Sequence, residues 1–391
     1  MHSLRCDYAI IGTGCAGYQL ALRMAEDEFF SNKKILLIEP DEKQGNDRTW
    51  SYWEEGQGRW DHLVWKSWSA AEVHAEGFDA LIPLAPYRYK SIRSADFYRH
   101  AQAKLRSSGR FHFVRDTVET VIGSDADVLI QTRAGDTYIA NTAFDSRIDP
   151  AFFGEQPGYS KVWQHFLGWE VESDSDVFDP ENFTMMDFRL RYKDTCSFMY
   201  ILPQDERRAL VEFTFFSPDL VDRSVYEQML KEYLMKYFPG AIFRRTGEEF
   251  GVIPMSDYPF QKHGAERIIK IGTAGSWAKP ATGYSFKNTE RCIDRLIDNL
   301  HLGVHPAQGL ISKKHRIYDT LFLDLLHHQN EIGPALFGRM YSRNPIARIF
   351  RFLDDRSTLA DDLRIMWTFD ALPFMKVIGK KSLQILKGLR S

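Results

Sequence analysis

The stretch DYAIIGTGCAGYQLA (residues 7–21) decides the fold of this chain. An apolar run of strand length enters a Gly-x-Gly-x-x-Gly turn at Gly12, Gly14 and Gly17 and leaves it as a helix. In a dinucleotide site the first glycine permits the tight turn, the second lets a pyrophosphate approach the backbone, and the third lets the helix pack on the strand. The free N–H groups of the first helical turn then point at the phosphates. The stretch therefore predicts a dinucleotide site in preference to a turn that is glycine-rich only for packing.

A second strand supports this interpretation. It covers Lys34–Ile38 and ends in Glu39, at about the spacing where an acidic side chain accepts hydrogen bonds from the ribose of a dinucleotide. We therefore predict a Rossmann-type α/β domain at the start of the chain.

Composition excludes several classes of protein. The 391 residues suffice for two domains, and the 50 basic and 53 acidic side chains nearly balance. Neither nucleic acid nor another acidic polymer is thus an expected partner. The four cysteines lie far apart without a Cys-x-x-Cys pair, which argues against a disulfide framework and against a zinc site, and we predict no metal.

The first predicted strand starts within a few residues of Met1, which leaves no room for a signal peptide. No apolar run approaches the roughly 20 residues that a membrane-spanning helix needs. We expect a cytoplasmic protein that does not cross a membrane but can lie on one. Aromatic residues make up 14% of the chain, which suits either an ordinary core or a long apolar ligand.

The pattern along the chain predicts further elements. A strand is expected over 84–92 and a helix over 94–107, with Ser94 as its N-cap. Strands over 111–115, 128–133 and 137–141 are expected to form an antiparallel flap, before the chain returns to the first sheet at 142–144. The period then changes to two, which predicts a second, β-rich domain with strands over 163–171, 184–190, 196–202, 209–216 and 250–254 and one helix capped by Ser224.

These elements predict four segments. They are the first part of the nucleotide-binding domain at 1–156, a β-rich substrate domain at 157–262, a return segment at 263–305, and a helical C-terminal region at 306–391 with a membrane-surface contact.

One carboxylate stands out in the second domain. Strand alternation puts Val211, Phe213 and Phe215 on one face, and Leu210, Glu212, Thr214 and Phe216 on the other. Glu212 is thus expected to be a lone carboxylate among apolar neighbours. The alternative is a structural role in which Glu212 pairs with Arg189 or Arg191 on a neighbouring strand.

Two loops are candidates for ligand contact. Gly272–Gly275 and Lys279–Tyr284 follow a predicted strand and precede a helix, so their small residues favour a second cofactor contact over a plain turn. The loop Arg48–Trp53 either touches a ligand or is pinned by buried tryptophans.

The last segment, residues 371–391, carries five basic and no acidic residues, interleaved with apolar ones. This pattern is typical of an interfacial anchor on anionic lipid, and also of a C-terminal helix packed on its own domain.

Three segments together resemble the lycopene cyclase family, in particular its bacterial lycopene β-cyclase type. They are 7–21, the acidic signature LVEFT at 210–214, and 272–284 with its Pro-x-Thr-Gly-Tyr ending. Supporting similarity lies in 47–51, 145–147 and 186–189, and the likeness covers nearly the whole chain in the same order. The plant and cyanobacterial branch has two adjacent glutamates in its acidic signature, whereas here Phe213 follows Glu212.

The resemblance implies a fold like that of p-hydroxybenzoate hydroxylase and geranylgeranyl reductase, with an FAD-binding domain, an antiparallel substrate sheet and a helical C-terminal region. It implies reduced FAD as cofactor, NAD(P)H as reductant, and the non-redox conversion of lycopene through γ-carotene to β-carotene. The partners it implies are these carotenes, a membrane surface on its inner, cytoplasmic side, and other carotenoid-pathway enzymes. The residues it implies for the cofactor are Gly12, Gly14, Ala16, Gly17, Glu39, Gly275, Thr282, Gly283 and Tyr284, with Trp50 and Phe216 at the substrate.

Ring closure protonates a terminal alkene, forms a carbocation and removes a ring proton, so its site must be dry and lined with aromatic faces. Burial raises the pKa of a carboxyl group, which suits Glu212 as the general acid or base, and the sequence leaves open which of the two it is. The competing interpretations are a flavin monooxygenase or polyprenyl reductase of the same fold and a non-catalytic carotenoid-binding protein.

Overall fold

The computed structural model describes residues 3–154, 158–370, 374 and 377. Its strands form three sheets, and its helices pack on one face of the first sheet and on both faces of the second. The strands are β1 Ser3–Ile11, β2 Ile35–Ile38, β3 Thr49–Glu55, β4 Val64–Trp68, β5 Ala70–Ala75, β6 Phe78–Pro83, β7 Tyr87–Arg93, β8 Phe111–Val114, β9 Val118–Gly123, β10 Val128–Thr132, β11 Thr137–Asp145, β12 Lys161–Ser173, β13 Asn182–Asp187, β14 Ser197–Pro203, β15 Arg208–Ser217, β16 Phe243–Ser256 and β17 Ile268–Lys270. The helices are α1 Cys15–Glu26, α2 Ser94–Ser107, α3 Arg223–Tyr237, α4 Phe286–His301, α5 Lys313–His328, α6 Gly333–Arg343, α7 Ile346–Leu353 and α8 Leu359–Met366.

The first sheet has the order β8-β2-β1-β11-β10-β9, and β17 also pairs with β11. Strands β8, β2, β1, β11 and β17 run parallel, which is the arrangement predicted for a Rossmann-type domain. Gly17 allows α1 to lie directly on this sheet, because a Cβ there would come within 2.1 Å of the Gly12 carbonyl oxygen. Helices α1, α2 and α4 bury their apolar faces in one core with β1 and β2.

The second sheet has the order β16-β12-β15-β14-β13-β5-β6 and is antiparallel except where β13 pairs with β5. Each of its faces has its own core. Val211, Phe213 and Phe215 pack with α3, whereas Leu210 and Phe216 pack toward α5, α6 and α7. The predicted alternation along β15 is confirmed.

The third sheet, β3-β7-β4, is antiparallel. Its first strand, Thr49–Glu55, contains most of the segment Arg48–Trp53, which was expected to be a loop.

Four predictions of local structure were wrong. The helix expected to be capped by Ser224 begins at Arg223 with Asp222 as its N-cap. Strand β8 is parallel to β2 in the first sheet, so the antiparallel flap consists of β9, β10 and the start of β11. The predicted return strand at 142–144 is the end of β11 itself. Ser94 is the first residue of α2 rather than its cap, and its hydroxyl accepts a hydrogen bond from the backbone N–H of Arg48 at 3.0 Å.

Strands β5 and β6 were not predicted, and they add residues 70–83 to the edge of the second sheet. The proposed domain bounds remain a prediction. The basic segment 371–391 lies outside the described residues, apart from positions 374 and 377. No helix in the described part of the chain is long and apolar enough to span a bilayer.

Candidate active site

A cavity of about 410 Å³ lies where the two large sheets and the third sheet meet. Its wall includes Gly14 and Cys15 of the glycine turn, Arg48–Ser51 around the start of β3, and Thr282–Phe286 before α4. The opposite wall comes from the second sheet and includes Glu212. The glycine turn and the acidic signature therefore face the same space.

Glu212 is buried in this wall, with 7% of its surface exposed. Its Oε1 accepts a hydrogen bond from the Thr214 hydroxyl at 2.5 Å. Burial, together with the negative charge of Glu249 and against the opposing Thr214 hydrogen bond, raises the pKa of Glu212 to about 8. The carboxyl group is thus mostly protonated at neutral pH, with a pKa close enough to the working pH for a general acid or base.

Glu212 does not form the predicted structural ion pair with Arg189. The guanidinium of Arg189 binds the buried Asp187 at 2.6 Å, and Arg191 is exposed.

The expectation of a lone carboxylate was wrong, because Glu249 of β16 lines the same cavity and is also 7% exposed. Its Oε1 accepts a hydrogen bond from the backbone N–H of Thr49 at 3.0 Å. Burial raises the pKa of Glu249, while the Thr49 N–H and the Arg48 charge lower it. A cavity-facing residue of β16 was missed because Glu248 and Glu249 are adjacent, and only the strand register decides which one points inward.

Aromatic and sulfur-containing side chains make up much of the remaining wall. They include Trp50, Tyr89, Tyr98, Phe166, Met185, Met186, Phe198, Tyr200, Phe216, Tyr284, Phe286, Phe337 and Tyr341. The Tyr89 hydroxyl lies 2.9 Å from the hydroxyls of both Tyr200 and Tyr284, so these phenol groups satisfy one another instead of binding water. Both residues predicted at the substrate, Trp50 and Phe216, line the cavity. The Trp50 ring also packs edge-on against Phe97 and Tyr98.

The predicted nucleotide-binding residues divide into two groups. Gly14 borders the cavity, and a Cβ built on it would meet no atom within 4 Å, so the backbone there leaves a cradle open. Gly12 and Gly17 serve close packing, since a Cβ on Gly12 would lie 2.0 Å from the Ser146 hydroxyl. Ala16 is buried at the start of α1, in contact range of the turn at Gly272.

Glu39 ends β2 beside the glycine turn, as predicted. Its Oε2 accepts a hydrogen bond from the backbone N–H of Thr13 at 2.7 Å. The side chain is half-buried and is therefore held at the edge of the turn where a ribose hydroxyl would approach.

The second predicted segment also reaches the cavity. Thr282, Gly283 and Tyr284 line it, whereas Gly275 does not and instead packs against the Lys270 carbonyl. Gln164 Oε1 and Thr282 Oγ1 are buried in this wall and have no hydrogen-bond partner among the described residues. Unpaired buried polar atoms beside an open glycine cradle fit a polar heterocyclic cofactor.

Sequence reasoning missed the ion-pair cluster that holds this segment. Lys279 Nζ lies 2.9 Å from Asp319 of α5 and 2.7 Å from Asp355 after α7. Burial raises the pKa of Asp319 to about 6 despite the nearby ammonium group. The only sequence signal was a lysine in a loop of otherwise small residues.

A second cavity of about 240 Å³ adjoins the first. The two share Thr282, Phe337 and Leu353 in their walls. The second is lined mainly by apolar side chains of α5, α6, α7 and the end of α8, among them Met340, Phe352 and Phe369.

A model of the lycopene cyclase protein family matches residues 7–378 of this chain. The chain belongs to the lycopene cyclase family. The lycopene beta-cyclase of Pseudescherichia vulneris is 26% identical over 380 residues, which cover 92% of this chain and 93% of that relative. The lycopene beta-cyclase of Paracoccus sp. strain N81106 / MBIC 01143 is 25% identical over 389 residues, again covering 92% and 93%. This chain is accordingly an enzyme.

Solved structures confirm the fold predicted for this cyclase family member. A geranylgeranyl bacteriochlorophyll reductase-like protein from Thermoplasma acidophilum superposes with a TM-score of 0.57 at 12% identity, covering 100% of this chain and 99% of that one. The flavin-dependent brominase Bmp2 gives 0.59 at 15% identity over 90% and 93% of the two chains. A mutant of the halogenase PltM in complex with FAD gives 0.54 at 12% identity over 88% and 79%.

Proposed function

We propose that this enzyme is a lycopene β-cyclase, which closes the ψ-ends of lycopene to β-ionone rings by way of γ-carotene. The observation that carries the proposal is the buried carboxyl group of Glu212 in the wall of an aromatic cavity that extends to the glycine turn. The family and its two curated relatives support the substrate class.

The reaction needs a proton source, a place for a cation and the absence of water. A proton added to the terminal alkene leaves a tertiary carbocation, and water beside that cation would trap it as an alcohol. The aromatic wall supplies π faces that stabilise positive charge. The mutually bonded hydroxyls of Tyr89, Tyr200 and Tyr284 give water few free partners there.

Glu212 is the residue proposed to handle the proton. Its raised pKa keeps a substantial neutral fraction near pH 7, and the Thr214 hydroxyl orients one carboxyl oxygen. A group with a pKa near the working pH is the most effective general acid or base.

FAD is the proposed cofactor, and the residues present fit it. The cradle at Gly14 and the first turn of α1 would hold the pyrophosphate, Glu39 the ribose, and Thr282, Gly283 and Gln164 the polar edge of the flavin ring. In its reduced form, with NAD(P)H as the proposed reductant, the cofactor supplies negative charge that stabilises the cation.

The two adjoining cavities support a long substrate. A cavity of about 410 Å³ that accepts a polyene tip beside a flavin ring leaves much of a carotene outside it. The second, apolar cavity continues from it past Phe337 and Leu353 and supports a path for the rest of the chain.

The proposal includes contact with the inner face of a membrane, where carotenes dissolve. The five basic residues among the last 21 support it, and so does the exposed apolar face of α8 formed by Leu359, Leu363 and Trp367. Met366, in the same helix, lines the second cavity. An apolar helix face with a tryptophan is typical of an interfacial contact.

The test is expression in a host that accumulates lycopene, followed by assay of the purified enzyme with reduced FAD. Wild type should yield β-ionone rings without stoichiometric consumption of NAD(P)H. Glu212→Gln should bind FAD as wild type does and lose activity by about 10²–10⁴-fold, the range for removal of a general acid or base.

A flavin monooxygenase or reductase of the same fold would instead oxidise one nicotinamide for each product molecule. Such a count would refute the proposal, and so would a Glu212→Gln variant that cyclises lycopene at the wild-type rate.

A further inference from the structure

Glu212 and Glu249 lie on one rung of the second sheet. Gly168 of β12 pairs with Glu212 of β15 on one side and with Glu249 of β16 on the other. Residues directly paired across strands share a face, and both carboxyl groups do line the cavity. Tyr200 of β14 continues the same rung beyond Glu212.

Glycine at position 168 leaves room on this rung between the strands that carry the two carboxyl groups. A Cβ on Gly168 would lie 2.9 Å from Leu210 Cδ1 and 3.5 Å from Glu212 Cβ, so any side chain there would fill the space between them. Strand β12 lies between the strands of Glu212 and Glu249, and at this position it contributes only backbone.

The two carboxyl groups have unequal surroundings. Glu249 faces a backbone N–H donor at Thr49 and the positive charge of Arg48, both of which favour its anion, while Asp47 opposes them. Glu212 faces the hydroxyl of Thr214 and the phenols of Tyr200 and Tyr284, and no cation is among the causes that shift its pKa. When two buried carboxyl groups share a site they do not both ionise readily, and the better-supported one carries the charge.

We propose that Glu212 and Glu249 form a proton-transfer pair that shares one proton, with Glu212 as the acid and Glu249 as the base. This pairing rests on the proposed cyclase function. It assigns proton donation to Glu212 and proton removal to Glu249, two roles that Glu212 considered alone does not separate.

The transfers balance within the pair. The Glu212 O–H bond breaks as a C–H bond forms at the terminal alkene, and the electrons of the next double bond close the ring and leave a cation. A carboxylate oxygen of Glu249 then takes a proton from the ring carbon beside the cation, and the C–H electrons form the ring double bond. Return of that proton from Glu249 to Glu212 restores the pair without an external acid.

The deciding variant is Glu249→Gln. The amide oxygen of glutamine can still accept the Thr49 N–H, so the loop before β3 keeps its anchor while the charge and the base are lost. The control is Glu248→Gln, the same change one residue away, at an exposed side chain that pairs with Arg223 at 2.6 Å. Glu249→Asp retains the charge and tests for rescue.

Two readouts separate a chemical role from a structural one. The first is the cyclisation rate across pH, and the second is an infrared titration of the protonated carboxyl C=O band that disappears in Glu212→Gln, which needs neither substrate nor turnover. We expect Glu249→Gln to lose about 10²-fold or more in cyclisation rate and to move the Glu212 band to a lower titration pH. Glu248→Gln should match wild type in rate and in titration pH. Glu249→Asp should partly restore both quantities.

Wild-type turnover by Glu249→Gln would overturn the proposal. A loss of rate with the Glu212 band titrating at its wild-type pH would overturn it as well, because Glu249 would then act only through the Thr49 loop. If wild type forms no rings, the cyclase function fails and the proton roles fail with it, whereas the shift of the infrared band still decides whether the two groups are coupled.

Discussion

At the scale of the residue, the buried carboxyl group of Glu212 makes the stability of the fold depend on pH. Burial moves the pKa of Glu212 from its ordinary 4.5 up to about 8, so the folded protein holds a proton there that the unfolded chain releases. A group with a raised pKa in the folded state contributes stability that is fully present below its unfolded pKa and is lost as the pH rises through its folded pKa.

We therefore expect the stability of Glu212→Gln relative to wild type to increase with pH. Between the ordinary glutamate pKa of 4.5 and about 8, wild type should lose on the order of 1 kcal/mol per pH unit relative to the variant. Urea unfolding of both proteins at the two ends of this range measures the difference. Glu248→Gln is the control, and a constant gap between wild type and Glu212→Gln across this range would contradict the assigned pKa.

Residue-scale prediction from sequence succeeded where alternation alone decides the outcome. Glu212 could be assigned to the cavity face because Val211, Phe213 and Phe215 form an unbroken apolar set on the other face. Glu249 could not, because it follows the polar run 244–248, in which the apolar alternation that fixes register is missing. Its position depends on pairing with Gly168, 81 residues earlier in the chain, which no local pattern encodes.

At the scale of the element, a buried ion pair ties the loop before α4 to a neighbouring helix. Lys279 and Asp319 are 7% and 5% exposed, and their contact joins the loop that ends in Thr282 and Gly283 to α5. Removal of one partner of a buried pair is costly because the other charge remains without compensation.

Lys279→Met should therefore destabilise the protein by about 3–5 kcal/mol and reduce the fraction that retains FAD. The loss should be smaller below about pH 6, where Asp319 becomes neutral. Lys279→Met combined with Asp319→Leu should recover part of the stability, since it leaves no carboxylate at position 319. Urea unfolding and flavin absorbance after gel filtration measure both effects.

The matched control is Lys104→Met, which breaks the exposed pair with Glu26 and should cost no more than about 1 kcal/mol. Equal losses in the two lysine variants would show that the Lys279 cluster has no special role.

The elements that sequence reasoning missed share a physical cause. Strand β5 pairs parallel with β13, more than 110 residues later. Strand β6 is a half-exposed edge strand whose outward face also carries apolar residues, Leu81 and Pro83, so its sequence does not alternate cleanly between polar and apolar. The sequence of strand β8 does not distinguish it from the antiparallel strands that follow, and only its parallel pairing with β2 shows that it belongs to the nucleotide-binding part of the sheet. Non-local pairing decided these cases, whereas the β1–α1 unit could be predicted because strand, turn and helix are contiguous.

At the scale of the whole molecule, the two cavities and the exposed apolar face of α8 follow one another from the glycine turn to the C-terminal helices. The first cavity meets the second at Phe337 and Leu353, and the second ends at Met366 and Phe369, beside the exposed face of α8. On that face Leu359, Leu363 and Trp367 recur every four residues and are 65%, 57% and 85% exposed. This arrangement supports the proposed delivery of an apolar substrate from a membrane.

A variant with Leu363→Glu and Trp367→Glu should consequently bind anionic lipid vesicles more weakly, by about 10-fold or more, because each buried apolar side chain of this size contributes about 1.5–3 kcal/mol. Cyclisation of lycopene dissolved in those vesicles should slow in proportion, while lycopene dispersed in detergent should react at the wild-type rate.

The control carries Met235→Glu and Ile242→Glu, which replace two apolar side chains that are each 72% exposed at another surface. Vesicle sedimentation and the two rate assays provide the readout. Equal vesicle binding by both variants would show that α8 is not the lipid contact, and equal rate losses in vesicles and detergent would show that the substitutions damage the site itself.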